Sequence, residues 1–273
     1  MWSSSSRKTT LVTITLTEIS DLRKKRDAAE IVRSRAQAQK TKFAPCEIDR
    51  YLSSAADCAF ALEYAFHLVG DVAGKRVLDL GCGDGETVVV LAHKGAQVVA
   101  LDISPELIDL ARRRVQMQCD GLPTPELFVR TAYDTGLENA SVDLILSKMV
   151  LHHLELSSAL KEIRRVLKPN GRLIFNEPVQ LPTAFVVARR LFPKRGEISN
   201  YEHPLTRKEY RMIGAFFNIE QERAFRLPFV SLAIRLGIPE RRMRWMYSLD
   251  CWLLKRFAFL WPLAAIRVAA FTP

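Results

Sequence analysis

The sequence predicts an α/β fold in which helices cover both faces of a mostly parallel sheet. Two patterns support this prediction: continuously apolar segments alternate with helical ones between residues 76 and 177, and a turn with three glycines, GCGDG, follows the first apolar segment. Strands buried on both faces and separated by helices are typical of parallel sheets. With 273 residues, of which 48% are hydrophobic, the chain can form one elaborated domain.

Two segments precede this alternating region. Residues 11–17 (LVTITLT) alternate as a short strand does, and residues 19–40 combine good helix formers with a basic face. We assign residues 1–46 to an N-terminal appendage. Residues 47–69 are apolar at helical spacing and lead into the turn GDVAGK, which predicts a helix packed on the following core. The main domain is therefore expected to span residues 47–273.

The core elements follow one another in a regular order. We predict strands at residues 76–80, 97–101, 127–131, 142–147 and 172–177. Helices are predicted between them, at residues 85–93, 105–118 and 156–167. Two further strand-like segments, NIEQERAFRL and AAIRVAAF, enclose a helical, arginine-rich and aromatic insertion at about residues 228–260. The sheet is thus expected to have seven strands.

Local signals support several boundaries. Ser104 followed by Pro105 predicts the N-terminus of a helix, and Thr206 with Glu209 predicts a capping box. The segment KPNGR, residues 168–172, is expected to end a helix and turn directly into a strand.

Charge and cysteine content limit the partners and the compartment. The net charge is +10, with an acidic middle (residues 43–188) between basic flanks. Such flanks could bind nucleic-acid phosphates or anionic lipid, or could be a solvated surface without a partner. The five cysteines are scattered without metal-binding spacing, which predicts reduced thiols and no metal site. Because no segment reaches the roughly 20 apolar residues of a membrane span, we expect a cytoplasmic protein, with peripheral membrane contact as an open alternative.

The glycine turn points to a ligand without phosphate. A dinucleotide site has glycines spaced GxGxxG, but here the sixth position is Glu86, whose carboxylate would repel a phosphate. The GKS or GKT of a P-loop is also missing.

The run DLGCGDG, residues 79–85, instead resembles the first motif of class I S-adenosylmethionine-dependent methyltransferases. SVDLILSKMVLHHL and LKEIRRVLKPNGRLIFNEP are similar to later motifs of that family, so the resemblance covers residues 47–178. It implies an enzyme with a Rossmann-like class I methyltransferase fold, an antiparallel last strand, N-terminal helices, a helical insertion before the final strand and a cofactor-binding core at residues 70–178. The implied cofactor is S-adenosyl-L-methionine, whose positive charge suits the acidic middle segment.

The resemblance also implies a role for individual residues. Asp79 would help to hold the methionyl amine, Asp102 would accept the ribose hydroxyls, and Gly81 and Gly83 would let the backbone approach the cofactor. Further cofactor contacts are expected at Cys82, Ile103, Ala132, Tyr133 and Ser147, where Cys82 is a small turn residue. The chain departs from the family where an aspartate usually lies beside the adenine, because Thr131 stands there. Adenine recognition would then use backbone groups of Ala132 and Tyr133, or Asp134.

The rim of the expected site holds candidates for catalysis. His152 and His153 begin the segment after the fourth strand, and His152 is our candidate general base, with helix capping or packing as the alternative. Glu177 ends the fifth strand near the same rim, where Asn176-Glu177-Pro178 could simply turn the chain. Tyr51 could cover the cofactor, although core packing is favoured for it.

The segments outside the core bear on the acceptor. Residues 228–260 and the three residues after them contain three tryptophans, Trp245, Trp252 and Trp261, and clustered arginines, as a lid over an apolar acceptor or a membrane-facing helix would. They resemble C-terminal extensions of methyltransferases that act on hydrophobic small molecules. We expect O- or C-methylation of a small, polyketide-, quinone- or isoprenoid-like compound.

Two other functions remain open from the sequence. One is an RNA or protein methyltransferase that uses the basic flanks. The fourth strand ends in SKMV where base- and glutamine-directed methyltransferases commonly carry an NPPY-like tetrapeptide, which counts against part of that class, and we do not expect a nucleic-acid partner. The other is a non-catalytic regulator that keeps the fold, which the acids at Asp79 and Asp102 disfavour.

Overall fold

The computed structural model describes residues 16–41, 43–182 and 203–273. Its strands are β1 (Arg76–Leu80), β2 (Gln97–Asp102), β3 (Glu126–Val129), β4 (Val142–Lys148), β5 (Leu167–Pro178), β6 (Asn218–Phe225) and β7 (Ile266–Thr272). They form one sheet in the order β3, β2, β1, β4, β5, β7, β6. β7 is antiparallel to both of its neighbours, whereas β1 to β5 pair in parallel. The predicted seven-stranded, mostly parallel sheet with an antiparallel last strand is confirmed.

The helices surround this sheet. They are α1 (Leu16–Lys40), α2 (Asp49–Leu52), α3 (Ala61–Val69), α4 (Glu86–His93), α5 (Pro105–Gln118), α6 (Leu156–Val166), α7 (Arg207–Phe216), α8 (Pro228–Arg235) and α9 (Glu240–Arg256). The predicted N-terminus of α5 is confirmed, since the Ser104 side chain accepts a hydrogen bond from the backbone N–H of Leu107. The capping box of Thr206 and Glu209 at α7 is confirmed as well.

Two apolar clusters hold the layers together. One packs α3, α4 and part of α5 on one face of the sheet, and the other packs α6 and α7 on the opposite face. Central strands such as β1 contribute to both clusters because their side chains point alternately to the two faces: Val77 belongs to the first cluster and Leu78 to the second. This explains the continuously apolar strands in the sequence.

Several boundaries differ from the prediction. The helix expected at residues 47–69 consists of α2 and α3, with an irregular segment between them in which the Ser54 hydroxyl donates to the Arg50 carbonyl. Such side-chain bonds to the backbone compete with helix formation. The turn expected at KPNGR is part of β5, whose pairing with β4 shifts register between Val142 and Leu144. Most of the strand expected at residues 11–17 lies outside the described residues, and Leu16 begins α1.

The order of the strands prepares a binding site. The chain runs outward from β1 to β3 and then returns to place β4 on the other side of β1. At such a point the connections after β1 and β4 diverge, which leaves a crevice at their carboxyl ends. Separately, no helix among the described residues is long and apolar enough to cross a membrane.

Candidate functional site

A cavity of about 250 Å3 lies at the carboxyl ends of β1, β2 and β4. It is lined by the glycine turn after β1, by residues that follow β2, β3 and β4, and by one face of α1. Gly81, Cys82, Gly83, Asp102, Ile103, Ala132 and Tyr133, all predicted cofactor contacts, line this cavity, as does His152. Asp79 and Ser147 do not line it.

The glycine turn has a backbone that only glycine adopts easily. Gly81, Gly83 and Gly85 have φ angles of 73°, 55° and 85°, in the left-handed region that disfavours a Cβ. A Cβ on Gly81 would overlap the side chain of Val150, and one on Gly85 would come within 2.8 Å of Ala111 Cβ. A Cβ on Gly83 would meet nothing within 4 Å. Gly81 and Gly85 therefore serve the packing of the protein itself, whereas Gly83 leaves open space beside the cavity.

Asp102 at the end of β2 is held by two backbone groups. Its Oδ2 accepts a hydrogen bond of 2.9 Å from Gly83 N–H, and its Oδ1 accepts one of 2.9 Å from Ser104 N–H. Burial raises the pKa of this carboxyl, and the two backbone N–H groups oppose that effect. Each oxygen has a second lone pair, so the carboxylate can still accept hydroxyl donors from a ligand in the cavity.

Asp79 lies beneath the turn. It is fully buried, its Oδ2 accepts a hydrogen bond from the Thr87 hydroxyl, and its Oδ1 has no hydrogen-bond partner among the described residues. Burial raises the pKa of Asp79 to about 6. The predicted contact with the methionyl amine stays a prediction, because Asp79 does not line the cavity.

Arg114 on α5 braces the turn from outside and was not found by sequence reasoning. Its guanidinium donates to the Asp84 carbonyl at 3.0 Å, to Asp84 Oδ2 at 2.7 Å and to the Ala44 carbonyl at 2.6 Å. The side chain is only 3% exposed. One buried cation thus fixes both the turn and the segment that connects α1 to α2.

The end of β3 lies where an adenine contact was expected. Thr131, Ala132 and Tyr133 line the cavity, whereas Asp134 is exposed and does not. The Tyr133 hydroxyl accepts a hydrogen bond of 2.7 Å from Glu155 N–H. Of the two predicted alternatives for adenine recognition, this geometry is compatible with Ala132 and Tyr133 rather than with Asp134.

The end of β4 carries local backbone strain. Met149 has a φ angle of 61°, which is uncommon for a residue with a side chain, and its N–H donates to the Asn176 carbonyl. Lys148, Met149 and Val150 line the cavity, whereas Ser147 is fully buried within the sheet. Ser147 therefore lies within the sheet beside the site, and its predicted cofactor contact stays a prediction.

Glu177 organises the segment that follows β4. Its buried carboxylate accepts hydrogen bonds from Val150 N–H at 2.7 Å and Leu151 N–H at 2.9 Å through Oε1. Its Oε2 lies 2.7 Å from Nδ1 of His152. Because a carboxylate accepts, this contact places the ring proton of His152 on Nδ1 and the lone pair on Nε2. The sequence had left Glu177 as a possible turn residue, so this role is a finding of the structure.

Comparison with known proteins identifies the domain. A family model described as a methyltransferase domain matches residues 78–175. This match includes the glycine turn, Asp102, the end of β3 and His152. Residues 78–175 form a class I methyltransferase domain. Domains of this type use S-adenosylmethionine, so the predicted recognition and cofactor are confirmed.

Relatives and solved structures agree with this assignment. The chain is similar to the ubiquinone biosynthesis O-methyltransferase of Xanthomonas oryzae pv. oryzae, with 34% identity over 123 residues, which are 43% of this chain and 49% of the relative. The chain spans less than half of the length of the curated relatives it matches.

Two solved structures share the fold. The geranyl diphosphate C-methyltransferase of Streptomyces coelicolor A3(2) has a TM-score of 0.56 and 16% identity, over 93% of this chain and 84% of that one. The magnesium protoporphyrin IX methyltransferase of Synechocystis PCC 6803 has a TM-score of 0.54 and 16% identity, over 93% and 98%. At this identity the likeness establishes the fold, and it extends beyond the matched methyltransferase domain.

Helix α1 covers the cavity of the methyltransferase domain. Arg26 donates to the Leu154 carbonyl at 2.7 Å, and Glu30 Oε2 lies 3.3 Å from His153 Nδ1. Arg35 pairs with Glu106 at the start of α5. Although α1 belongs to the segment assigned to an appendage, it forms a wall of the site; the domain boundary at residue 46 stays a prediction. The signal in the sequence was the spacing of Arg26, Glu30 and Arg33, which places their side chains on one face of a helix.

The insertion at residues 228–260 lies elsewhere. Its helices α8 and α9 pack on each other and α9 packs on β6, and the Arg223 guanidinium links it to the segment before α3 through Cys251 and the Ala56 carbonyl. None of its residues lines the cavity. Tyr51 also lies outside the cavity, packed on Phe66 with ring centroids 5.2 Å apart. Among the described residues, no cluster of three or more His, Cys, Asp or Glu side chains could hold a metal ion.

Proposed function

We propose that this protein is an S-adenosylmethionine-dependent methyltransferase that methylates an oxygen or carbon atom of a small, hydrophobic acceptor. The observation that carries this proposal is one cavity that joins the open side of Gly83 and the carboxylate of Asp102 to the imidazole of His152. The proposed donor site and the proposed proton acceptor thus line the same cavity.

The residues of the cavity suit this donor. The open space at Gly83 admits a ligand against the backbone, and Asp102 can accept two ribose hydroxyls in addition to its backbone bonds. Of the two carboxylates at this end of the cavity, Asp84 is paired with Arg114, so the Asp102 carboxylate is the one that favours a cationic nucleoside. Ala132 and Tyr133 offer the wall on the adenine side.

The main task of the protein in this reaction is alignment. The donor supplies a methyl group on a positively charged sulfur, so the driving force of the transfer is already present. Holding the acceptor in line with that group can contribute roughly 7–11 kcal/mol. Helix α1, anchored by Arg26 and Glu30, forms one wall of the cavity and restricts how an acceptor can lie in it.

We assign His152 the role of general base. With the Nδ1 proton directed at Glu177, the Nε2 lone pair is the ring atom able to take a proton from an acceptor hydroxyl. A correctly placed base contributes roughly 10²- to 10⁴-fold in rate. Glu177 is a positioning residue, since it fixes both the ring of His152 and the backbone that precedes it.

The acceptor class follows from apolar walls and from relatives. Met149, Val150 and Leu154 border the cavity near His152 and provide an apolar surface for an acceptor. The relative that is 34% identical is a ubiquinone biosynthesis O-methyltransferase, and one protein of the same fold methylates geranyl diphosphate on carbon. Quinone-, isoprenoid- or polyketide-like compounds are therefore our first candidates. We retain the predicted lid role of residues 228–260 as a proposal for acceptor entry, although these residues do not line the cavity.

Turnover with labelled donor tests the proposal. Purified protein is incubated with methyl-labelled S-adenosylmethionine and a panel of polyphenolic quinone precursors, polyketide phenols and prenyl diphosphates, with RNA as a separate arm. We expect labelled product from one small-molecule class and none from RNA. His152→Ala should lower kcat by roughly 10²- to 10⁴-fold without loss of donor binding. His67→Ala is the matched control, because His67 lies outside the cavity and bonds the Ser54 carbonyl.

Two results would contradict the proposal. Labelled RNA or protein without labelled small molecules would transfer the function to the alternative that uses the basic flanks. Unchanged turnover in His152→Ala would show that His152 is not the general base. Donor binding is a separate question: loss of donor affinity in Asp102→Asn would support the donor site in either case.

A further inference from the structure

The insertion between β6 and β7 exposes much apolar surface. Eight of the fifteen large hydrophobic side chains that are exposed in the described part of the chain lie between residues 228 and 260. The most exposed are Phe259 (75%), Trp245 (65%), Leu236 (64%) and Trp252 (57%). We call the exposed side chains of residues 228–260 the insertion surface. Clustered exposed apolar side chains of this size mark a contact with a partner.

Helix α9 has a packed face and an outward apolar face. Its packed face contains Met243 and Leu254, which are buried in two small clusters with α8 and the segment after α9. On the outward side, Trp245, Leu249 and Trp252 follow a spacing of four and three residues, which places them on one side of the helix. The packed face anchors α9, whereas the outward tryptophans are mostly exposed to solvent.

The same helix is strongly basic. Exposed cations on α9 are Arg241, Arg242, Arg244, Lys255 and Arg256. The acid in this stretch, Asp250, is buried and accepts hydrogen bonds from the backbone N–H groups of Arg226 and Leu227 at 2.9 and 2.7 Å. From residue 241 to residue 256 the helix therefore presents cations and apolar side chains to solvent, with no exposed acid.

This combination fits an anionic lipid surface best. Tryptophan prefers the membrane interface, aliphatic and phenyl groups enter the acyl boundary, and basic side chains are attracted to anionic headgroups. A second copy of the chain fits less well, because a two-fold contact would bring the same five cations against each other. RNA would use the arginines and tryptophans but offers nothing apolar to Leu236 or Leu249.

We propose that the insertion surface binds anionic lipid bilayers, with α9 in the headgroup plane and Trp245, Trp252 and Phe259 at the acyl boundary. This inference goes beyond the proposed methyl transfer, since lipid binding requires neither donor nor acceptor. It would bring the protein to the place where a hydrophobic acceptor accumulates.

Vesicle co-sedimentation tests the proposal with the full chain. The vesicles contain phosphatidylcholine alone or phosphatidylcholine mixed with phosphatidylglycerol. The apolar variant is Trp245→Ser/Trp252→Ser/Phe259→Ser, and the charge variant is Arg241→Gln/Arg242→Gln/Arg244→Gln. Met117→Ser/Ile219→Ser is the matched control, because these side chains are 49% and 50% exposed but lie outside the insertion. Thermal unfolding compares the folding of all variants.

We expect the unchanged chain and the control to sediment with the anionic vesicles. The apolar variant should bind the anionic vesicles at least about tenfold more weakly than the unchanged chain does. Its tryptophan emission should no longer shift to shorter wavelength when lipid is added. The charge variant should lose roughly fivefold per cation on anionic vesicles only.

Three outcomes overturn the proposal. The first is no binding of the unchanged chain to anionic vesicles, and the second is equal binding by the apolar variant and the control. The third is self-association in light scattering that the apolar variant abolishes while lipid is not bound. RNA is tested as a competitor. If RNA displaces the unchanged chain from vesicles and the apolar variant binds RNA with the same affinity as the unchanged chain, the apolar side chains contact lipid and not RNA.

Discussion

Replacing Gly83 by alanine should weaken donor binding without overpacking the fold. Gly83 has a φ angle of 55°, lines the cavity, and has no atom within 4 Å of the position that a Cβ would take. Gly74 has a φ angle of 69°, also has nothing within 4 Å of its Cβ position, and lies outside the cavity. Gly81 has a φ angle of 73° and a Cβ position that overlaps Val150. Alanine at Gly74 thus tests backbone strain alone, alanine at Gly81 adds a packing clash, and alanine at Gly83 adds contact with a ligand in the cavity.

The magnitudes follow from these differences. Left-handed backbone with a Cβ costs roughly 1–2 kcal/mol, so Gly74→Ala and Gly83→Ala should lose a similar free energy of unfolding. Overpacking adds typically 1–3 kcal/mol, so Gly81→Ala should lose about 2–5 kcal/mol. In the presence of donor, one misplaced methyl group at Gly83 should weaken binding by about 1–3 kcal/mol, or roughly 5- to 150-fold.

Urea unfolding without ligand and titration calorimetry with S-adenosylmethionine measure the two effects separately. The expected order of stability is Gly74→Ala equal to Gly83→Ala, with Gly81→Ala below both. Donor affinity should fall in Gly83→Ala and stay unchanged in Gly74→Ala. If Gly83→Ala binds donor as well as Gly74→Ala does, the donor does not approach the backbone at this turn, and the reasoning about the cavity is refuted.

Three further predictions concern buried charges near the site. Burial raises the pKa of Asp79 to about 6, so the folded state favours the protonated carboxyl. Its contribution to the free energy of unfolding is therefore complete below about pH 4 and is lost as the pH rises through about 6. Urea unfolding of Asp79→Asn should therefore show that its stability relative to the unchanged chain rises by about 2 kcal/mol from about pH 4 to pH 7. A stability difference between the two proteins that does not change with pH would contradict this. Glu177→Gln must turn an amide NH2 toward one of its donors, so stability should fall by about 1–3 kcal/mol and the pH profile of kcat should shift; an unchanged profile would separate Glu177 from His152. Arg114→Lys cannot reproduce three guanidinium bonds and should lower the free energy of unfolding by about 3 kcal/mol, which chemical denaturation would measure against Arg112→Lys, an exposed control.

The sequence was sufficient for the sheet because its signals are local. Continuous apolar strands, the N-cap at Ser104 and the capping box at Thr206 each depend on residues a few positions apart, and the structure confirms them. The same holds for the turn at residues 81–85 and for Asp102, since both follow directly from the ends of strands. Boundaries failed where side chains compete with backbone pairing, as at Ser54, and where a register shift lengthens β5.

The sequence alone determined the fold class and the type of domain, and it placed the glycine turn and Asp102 together, because the spacing along two adjacent strands already fixes which residues share the sheet edge. Only the tertiary structure decided that Glu177 holds His152, that Arg114 braces Asp84, and that α1 forms a wall of the cavity. Those contacts join residues 25 or more positions apart, and no local periodicity encodes which distant side chain a buried carboxylate or guanidinium will meet. The burial of Asp79 and Ser147 has the same origin, since exposure depends on what the rest of the chain packs around a residue.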